Sequence, residues 1–110
     1  MDITSKANNV RISPKKLRIV ADTVRGLNVN RALSSLDHMN QKGAYIIRKT
    51  LASAVANAQN NEDFKADMNL VSIKTITVDE GPALKRFRAR AQGRANRIKK
   101  RTSHLKIVIG

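Results

Sequence analysis

Along the first half of the chain apolar residues return every three or four positions, and beyond residue 70 they alternate or cluster as β-branched residues. The pattern therefore predicts helices first and strands afterwards. Leu17, Val20, Ala21 and Val24 mark one face of a first helix, with Lys15, Arg18, Asp22 and Arg25 on another. Ser13-Pro14 opens it, the serine as N-cap and the proline at the first helical position, where its missing N–H costs nothing; Gly26 stops it. Val29, Ala32, Leu33, Leu36 and Met39 predict a shorter second helix, capped by Asn28 or Asn30 and ending near Asn40. A third helix over about 41–58 carries Ala44, Ile47, Leu51, Ala54, Val55 and Ala58 on one face and stops near Asn60-Asn61. Its many alanines permit close packing.

Residues 70–78 hold Val71, Ile73, Thr75, Ile76, Thr77 and Val78, a strand composition. Its alternation slips, since Val71 and Ile73 share one parity while Ile76 and Val78 share the other, which predicts a bulge or two partly covered faces. Residues 103–109 alternate cleanly: Leu105, Ile107 and Ile109 face one way and His104, Lys106 and Val108 the other, as in a half-buried antiparallel strand. Residues 3–10 are the candidate third strand. The segment joining the two strong strands opens with Asp79-Glu80-Gly81-Pro82, read as a turn, and contains Gly93. With arms over 82–89 and 94–101 it forms a ribbon, eight residues a side, projecting about 26 Å at roughly 3.3 Å per residue. An isolated two-stranded ribbon is marginal in water, so this one is expected to order fully only against a partner.

Charge supplies the partner. Residues 1–80 hold 12 basic and 8 acidic groups, whereas residues 81–110 hold 10 basic groups and no acid, giving most of the net charge of +14. Such self-repulsion is relieved by a polyanion. No run of roughly 18 apolar residues exists, so no membrane partner is expected. Nor is a secretory signal seen in residues 1–20, and the absence of cysteine is compatible with a reducing cytoplasm. At 110 residues the chain fits one domain.

Within the ribbon the cations are Lys85, Arg86, Arg88, Arg90, Arg94, Arg97, Lys99, Lys100 and Arg101, six of the nine being arginine. Guanidinium forks bond phosphate bidentately and are weakly hydrated, which suits buried phosphate contact. A solvated charged loop would mix signs, and this one does not. Phe87 is the ribbon's only aromatic residue, which argues against serial base stacking and for folded nucleic acid recognised by shape and phosphate. It either wedges or stacks once, or packs across the ribbon against a neighbour such as Ala95; both readings stand. Ala89, Ala91 and Gly93 allow close approach near the tip, or simply satisfy turn geometry.

A second basic group, Arg11, Lys15, Lys16 and Arg18, surrounds the start of the first helix, where free N–H groups also favour phosphate. It is either a second anchor or a solvated face in which Arg18 meets Asp22. Asp79 and Glu80 are adjacent carboxylates, but adjacent strand residues point apart, so no acid–base pair or metal site is expected of them. His38 and His104 lie in no ligand cluster; His104, beside the ribbon's base, either bonds a phosphate or packs. No catalytic residue, metal or cofactor is predicted.

Taken in order, Arg11-Ile12-Ser13-Pro14-Lys15-Lys16-Leu17-Arg18, Val24-Arg25-Gly26, Val78-Asp79-Glu80-Gly81-Pro82, Lys85-Arg86, Arg90-Ala91-Gln92-Gly93-Arg94-Ala95 and Lys100-Arg101-Thr102-Ser103-His104 cover nearly the whole chain. This set resembles the bacterial-type family of large-subunit ribosomal protein twenty-two. The resemblance implies an α+β fold, with three helices packed on a small three-stranded antiparallel sheet and a long protruding basic β-hairpin. Its globular part would span about 1–80 and 102–110 and its extended hairpin about 81–101. It also implies a structural constituent that binds large-subunit ribosomal RNA, contacts several RNA domains and assists early assembly. The globular part would lie near the outer mouth of the nascent-chain exit tunnel and the hairpin would line that tunnel. Implied partners are neighbouring ribosomal proteins, including protein four at a constriction near the macrolide site, and the nascent polypeptide; no homo-oligomer is implied. The expected RNA-binding residues are the basic ones above, from Arg11 to Arg101, with Ser103 and His104. Leu84, Phe87, Arg88, Ala89, Arg90, Ala91, Gln92 and Gly93 would face the tunnel. Many family members carry a proline near the tip where this chain has Ala89, so similar reach with a less rigid shape is expected.

Two other classes fit the charge. A DNA-wrapping protein with β-ribbon arms would dimerise and insert an apolar wedge, often proline, but both prolines here lie away from the tip. A small RNA-cutting enzyme would depend on Asp79 and Glu80 with a metal ion.

Overall fold

The fold is known from a computed structural model, which describes residues 2–64, 68–81, 84–89 and 95–110, with the backbone alone described at 68, 84–89 and 95–100. The helical stripes fold where their spacing places them. Helix α1 (Pro14–Val24) begins at Pro14 and buries Leu17, Val20, Ala21 and Val24; Gly26 then takes a φ of 80°, which a side chain would strain. Ser13 occupies the N-cap, yet its side chain makes no capping hydrogen bond. Helix α2 (Val29–Asp37) is capped as predicted, the Asn28 side chain accepting from the Asn30 N–H at 2.9 Å. Helix α3 (Lys42–Asn60) buries Ala44, Ile47, Leu51, Ala54 and Ala58.

The sheet has β1 (Ile3–Val10), β2 (Ile73–Glu80) and β5 (Ser103–Ile109), in the order β1-β5-β2, antiparallel throughout. The predicted slip in β2 is a bulge: Ile73 pairs with Ile109 and Thr75 with Val108, so Lys74 is the extra residue. That single insertion returns Ile73, Ile76 and Val78 to one buried face. The strand also starts later and runs further than expected. Residues Met68–Leu70 form a 3₁₀ turn, and Asp79 and Glu80, read from sequence as turn residues, extend β2 opposite His104 and Ser103. Pairing decides this against local composition, because β5 offers ladder partners as far as Ser103.

Across the inner face the register builds three rows: Ile3, Ile109 and Ile73; Ser5, Ile107 and Ile76; Ala7, Leu105 and Val78. Helix α1 packs on β2, α3 on β1 and β5, and α2 on α3. The core is therefore one apolar layer between three helices and one side of the sheet. A second irregularity, between Ala7 and Val10 of β1, is accommodated by Asn9 at a φ of 57°, a conformation that asparagine tolerates.

Strands β3 (Leu84–Ala89) and β4 (Ala95–Lys100) form a separate two-stranded ribbon, paired from Leu84 with Lys100 to Ala89 with Ala95. Its described strands of six residues each give about 20 Å of paired length; residues 82, 83 and 94 of the expected eight-residue arms lie outside the described residues. The principal extents are 64 × 26 × 17 Å and the radius of gyration is 17.2 Å. A compact chain of this length would have about 13 Å.

Candidate nucleic-acid interface

The ribbon joins the sheet at a tight neck. The Gly81 N–H donates to the Thr102 carbonyl at 2.9 Å, and a Cβ on Gly81 would lie 2.5 Å from Thr102 Oγ1. Only glycine permits that approach. Ser103 is fully buried and its hydroxyl donates to the Ile12 carbonyl at 2.6 Å, tying β5 to the segment before α1. Its side chain thus has an internal partner and no exposed surface. At His104, Nδ1 accepts from the Asn9 N–H at 3.2 Å, so the ring fills the β1 irregularity. Glu80 and Arg101 pair across the neck at 3.5 Å, both well exposed.

The second basic group divides into two roles. Arg18 donates from Nε and Nη2 to the Val78 carbonyl at 3.2 and 2.8 Å, and Arg25 donates to the Ile76 carbonyl at 2.7 Å. These arginines cap outward carbonyls of the edge strand β2, a protected edge. Asp22, the expected partner of Arg18, pairs with Arg25 instead. Arg11, Lys15 and Lys16 are exposed and make no ion pair among the described residues.

Two clefts meet at Ser13. One, of about 420 Å³, is lined by Ser13, Pro14, Lys15, Arg18, Glu80 and Arg101. It brings the start of α1 against the ribbon's base, residues far apart in sequence. The other, of about 610 Å³, is lined by Arg11, Ile12, Ser13, Lys16, Ile19, Gln41, Lys42 and Gly43. Lys42 was not singled out by sequence, because only the packing of α3 beside α1 places it there. A basic track thus runs from Lys42 past Arg11, Lys16 and Lys15 to Arg101. Glu80, paired with Arg101, is the acidic side chain lining that track; away from it, Asp37 pairs with Arg48, and Asp2 with Lys74 at 2.8 Å. The hydrogen bond from Lys74 keeps the Asp2 carboxyl below its ordinary pKa.

On the ribbon, register places Arg86, Arg88 and Lys100 on one face and Lys85, Arg97 and Lys99 on the other, with Lys85 directly opposite Lys99. Phe87 pairs with Arg97, and Ala95 is its diagonal neighbour. Arg90, Ala91, Gln92, Gly93 and Arg94 lie outside the described residues. Among the described residues no group of three or more His, Asp or Glu side chains is placed to hold a metal ion, and no helix is long and apolar enough to cross a membrane.

The family model for ribosomal protein L22p/L17e matches residues 5–110. The chain belongs to the ribosomal protein L22p/L17e family. It is thus a structural protein of the large ribosomal subunit, associated with the ribosome, that binds ribosomal RNA and neighbouring ribosomal proteins in the service of translation. The family's role is structural rather than enzymatic, which displaces both the RNA-cutting and the DNA-wrapping readings. Asp79 and Glu80 are then strand and neck residues, one opposite His104 and the other paired with Arg101.

Proposed function

We propose that the β3–β4 ribbon lines the nascent-chain exit tunnel, with 84–93 facing the lumen, while the body sits at the tunnel's outer mouth. Acting as one domain, the body and ribbon grip separate segments of large-subunit RNA. The observation that carries this reading is the ribbon's register, which puts cations on both faces and sets Lys85 against Lys99. Like charges directly opposite destabilise a strand pair, and the apolar positions, Leu84 and Ile98 on one face and Phe87, Ala89 and Ala95 on the other, stand among cations on both. A ribbon of this kind is stable in a wall of phosphate. Lys85, Arg86, Arg88, Arg97, Lys99, Lys100 and Arg101, together with Arg90 and Arg94, make the phosphate contacts; His104 supports the neck.

The body contributes Arg11, Lys15 and Lys16, and Arg18 keeps Nη1 beyond its bonds to Val78. With one set of cations along the body and another along the ribbon, one molecule bridges separate RNA segments. That bridging accounts for contacts to several RNA domains and for a part in early assembly. At the ribbon's far end, ribosomal protein four and the nascent polypeptide are the neighbours. Small residues at Ala89 and Ala91 leave room for the passing chain.

The test is binding of the full chain to purified large-subunit RNA across a salt series. Replacing Arg86 and Arg88 with alanine is expected to weaken binding and flatten the salt dependence by about 0.7–0.9 log units for each phosphate no longer neutralised. An unchanged slope would remove the ribbon from the interface.

A further inference from the structure

Ile19 stands off the buried stripe of α1 and is 57 % exposed, on the wall of the groove between the starts of α1 and α3. That groove, of about 610 Å³, lies in the size range of sites that take small organic groups. Its rim carries Arg11, Lys16 and Lys42, its apolar part is Ile12 and Ile19, and no acidic side chain lines it. None of the three cations has an ion-pair partner among the described residues. An apolar surface within a cationic rim calls for a ligand that is flat and apolar at its centre and anionic at its edges.

A stacked RNA duplex does not fit that description, since it presents phosphates and 2′-hydroxyls and keeps its bases inside. A nucleotide turned out of the stack does, because its base has an apolar face and phosphates on either side. An acidic, apolar protein segment has the same chemistry. RNA is favoured because Ser13 also lines the cleft that leads past Lys15 and Arg18 to Arg101, so one polyanion can follow the whole track. We propose that this groove holds one unstacked nucleotide of large-subunit RNA, its base against Ile19 and Ile12 and its flanking phosphates on Arg11, Lys16 and Lys42. The proposal rests on the reading of the body's basic track as RNA-binding.

The full chain and three variants, Ile19→Ser, Ile19→Phe and Lys42→Gln, are titrated with purified large-subunit RNA by filter binding across a salt series, after urea midpoints confirm folding. Ile19→Ser is expected to weaken binding about five- to tenfold at every salt concentration with the slope unchanged, because it removes apolar cover and no charge. Ile19→Phe keeps or tightens binding, since an aromatic ring stacks on a base. Lys42→Gln weakens binding and lowers the slope by about 0.7–0.9. If Lys42→Gln has that effect while Ile19→Ser binds like the parent, the groove makes an ordinary phosphate contact and the nucleotide proposal is overturned. It is equally overturned if Ile19→Ser leaves RNA binding intact but loses a neighbouring protein from reconstituted particles. A Lys15→Gln/Arg101→Gln control separates the two levels: if it too leaves affinity and slope unchanged, the reading of the body's track fails along with the groove.

Discussion

Gly81→Ala is the substitution that the neck is least able to absorb. A Cβ at this position would stand 2.5 Å from Thr102 Oγ1 and 3.3 Å from His104 Nε2. Ordinary contact begins at 3.4 Å, so the hydroxyl must retreat by about 0.9 Å. Thr102 has little freedom to do so, being 3 % exposed and β-branched, with its carbonyl held by the Gly81 N–H at 2.9 Å. Overpacking of this kind costs about 1–3 kcal/mol. Each kcal/mol lowers the melting temperature of a domain this small by roughly 4–8 °C. Urea unfolding of Gly81→Ala, Thr102→Ala and the double variant measures the effect. If the hydroxyl is the obstacle, truncating Thr102 relieves the strain, and the double variant is more stable than the sum of the single effects predicts by about 1 kcal/mol or more. Additivity within about 0.5 kcal/mol would refute the reasoning. In that event the neck would have room that the geometry denies it.

Arg18→Ala and Lys15→Ala should separate a structural arginine from an RNA-facing lysine on the same helix. The first leaves the Val78 carbonyl without its charged donor and lowers stability by about 1 kcal/mol, while the second leaves the urea midpoint unchanged and weakens RNA binding. Asn9→Gly should be tolerated at its positive φ, whereas Asn9→Ala should cost about 1 kcal/mol in the same unfolding assay. Ile107→Ala, in the middle row of the central strand and fully buried, should cost about 2–5 kcal/mol, a large share of the about 5–15 kcal/mol that holds a domain folded, read as a lowered urea midpoint.

The helices were legible because each reports its own burial locally: Leu17, Val20, Ala21 and Val24 repeat at helical spacing whatever lies beside them. The β2 bulge was legible for the same reason, as a parity slip between Ile73 and Ile76. Residues whose role depends on a distant partner were not. Asp79 and Glu80 look like turn residues until β5 pairs with them, and Arg18 looks like a surface cation until the Val78 carbonyl arrives beside α1. Ser103 belongs to a basic motif by position, but alternation along β5 turns its hydroxyl inward to the Ile12 carbonyl. Lys42 joined the basic track only through the packing of α3 on α1, which has no sequence signature. Ile19 did leave a trace, as an apolar residue off the stripe. The charge asymmetry of the ribbon was plain in composition alone, whereas its register, with Lys85 facing Lys99, required the pairing.

The place of the ribbon in an assembled particle decides its function. A cryo-electron microscopy map of large subunits containing this chain should show 84–93 at the wall of the exit tunnel, with the β3 and β4 cations against ribosomal RNA and the body at the outer mouth. A map in which the same residues pack outside the tunnel, with the lumen lined by other components, would contradict it.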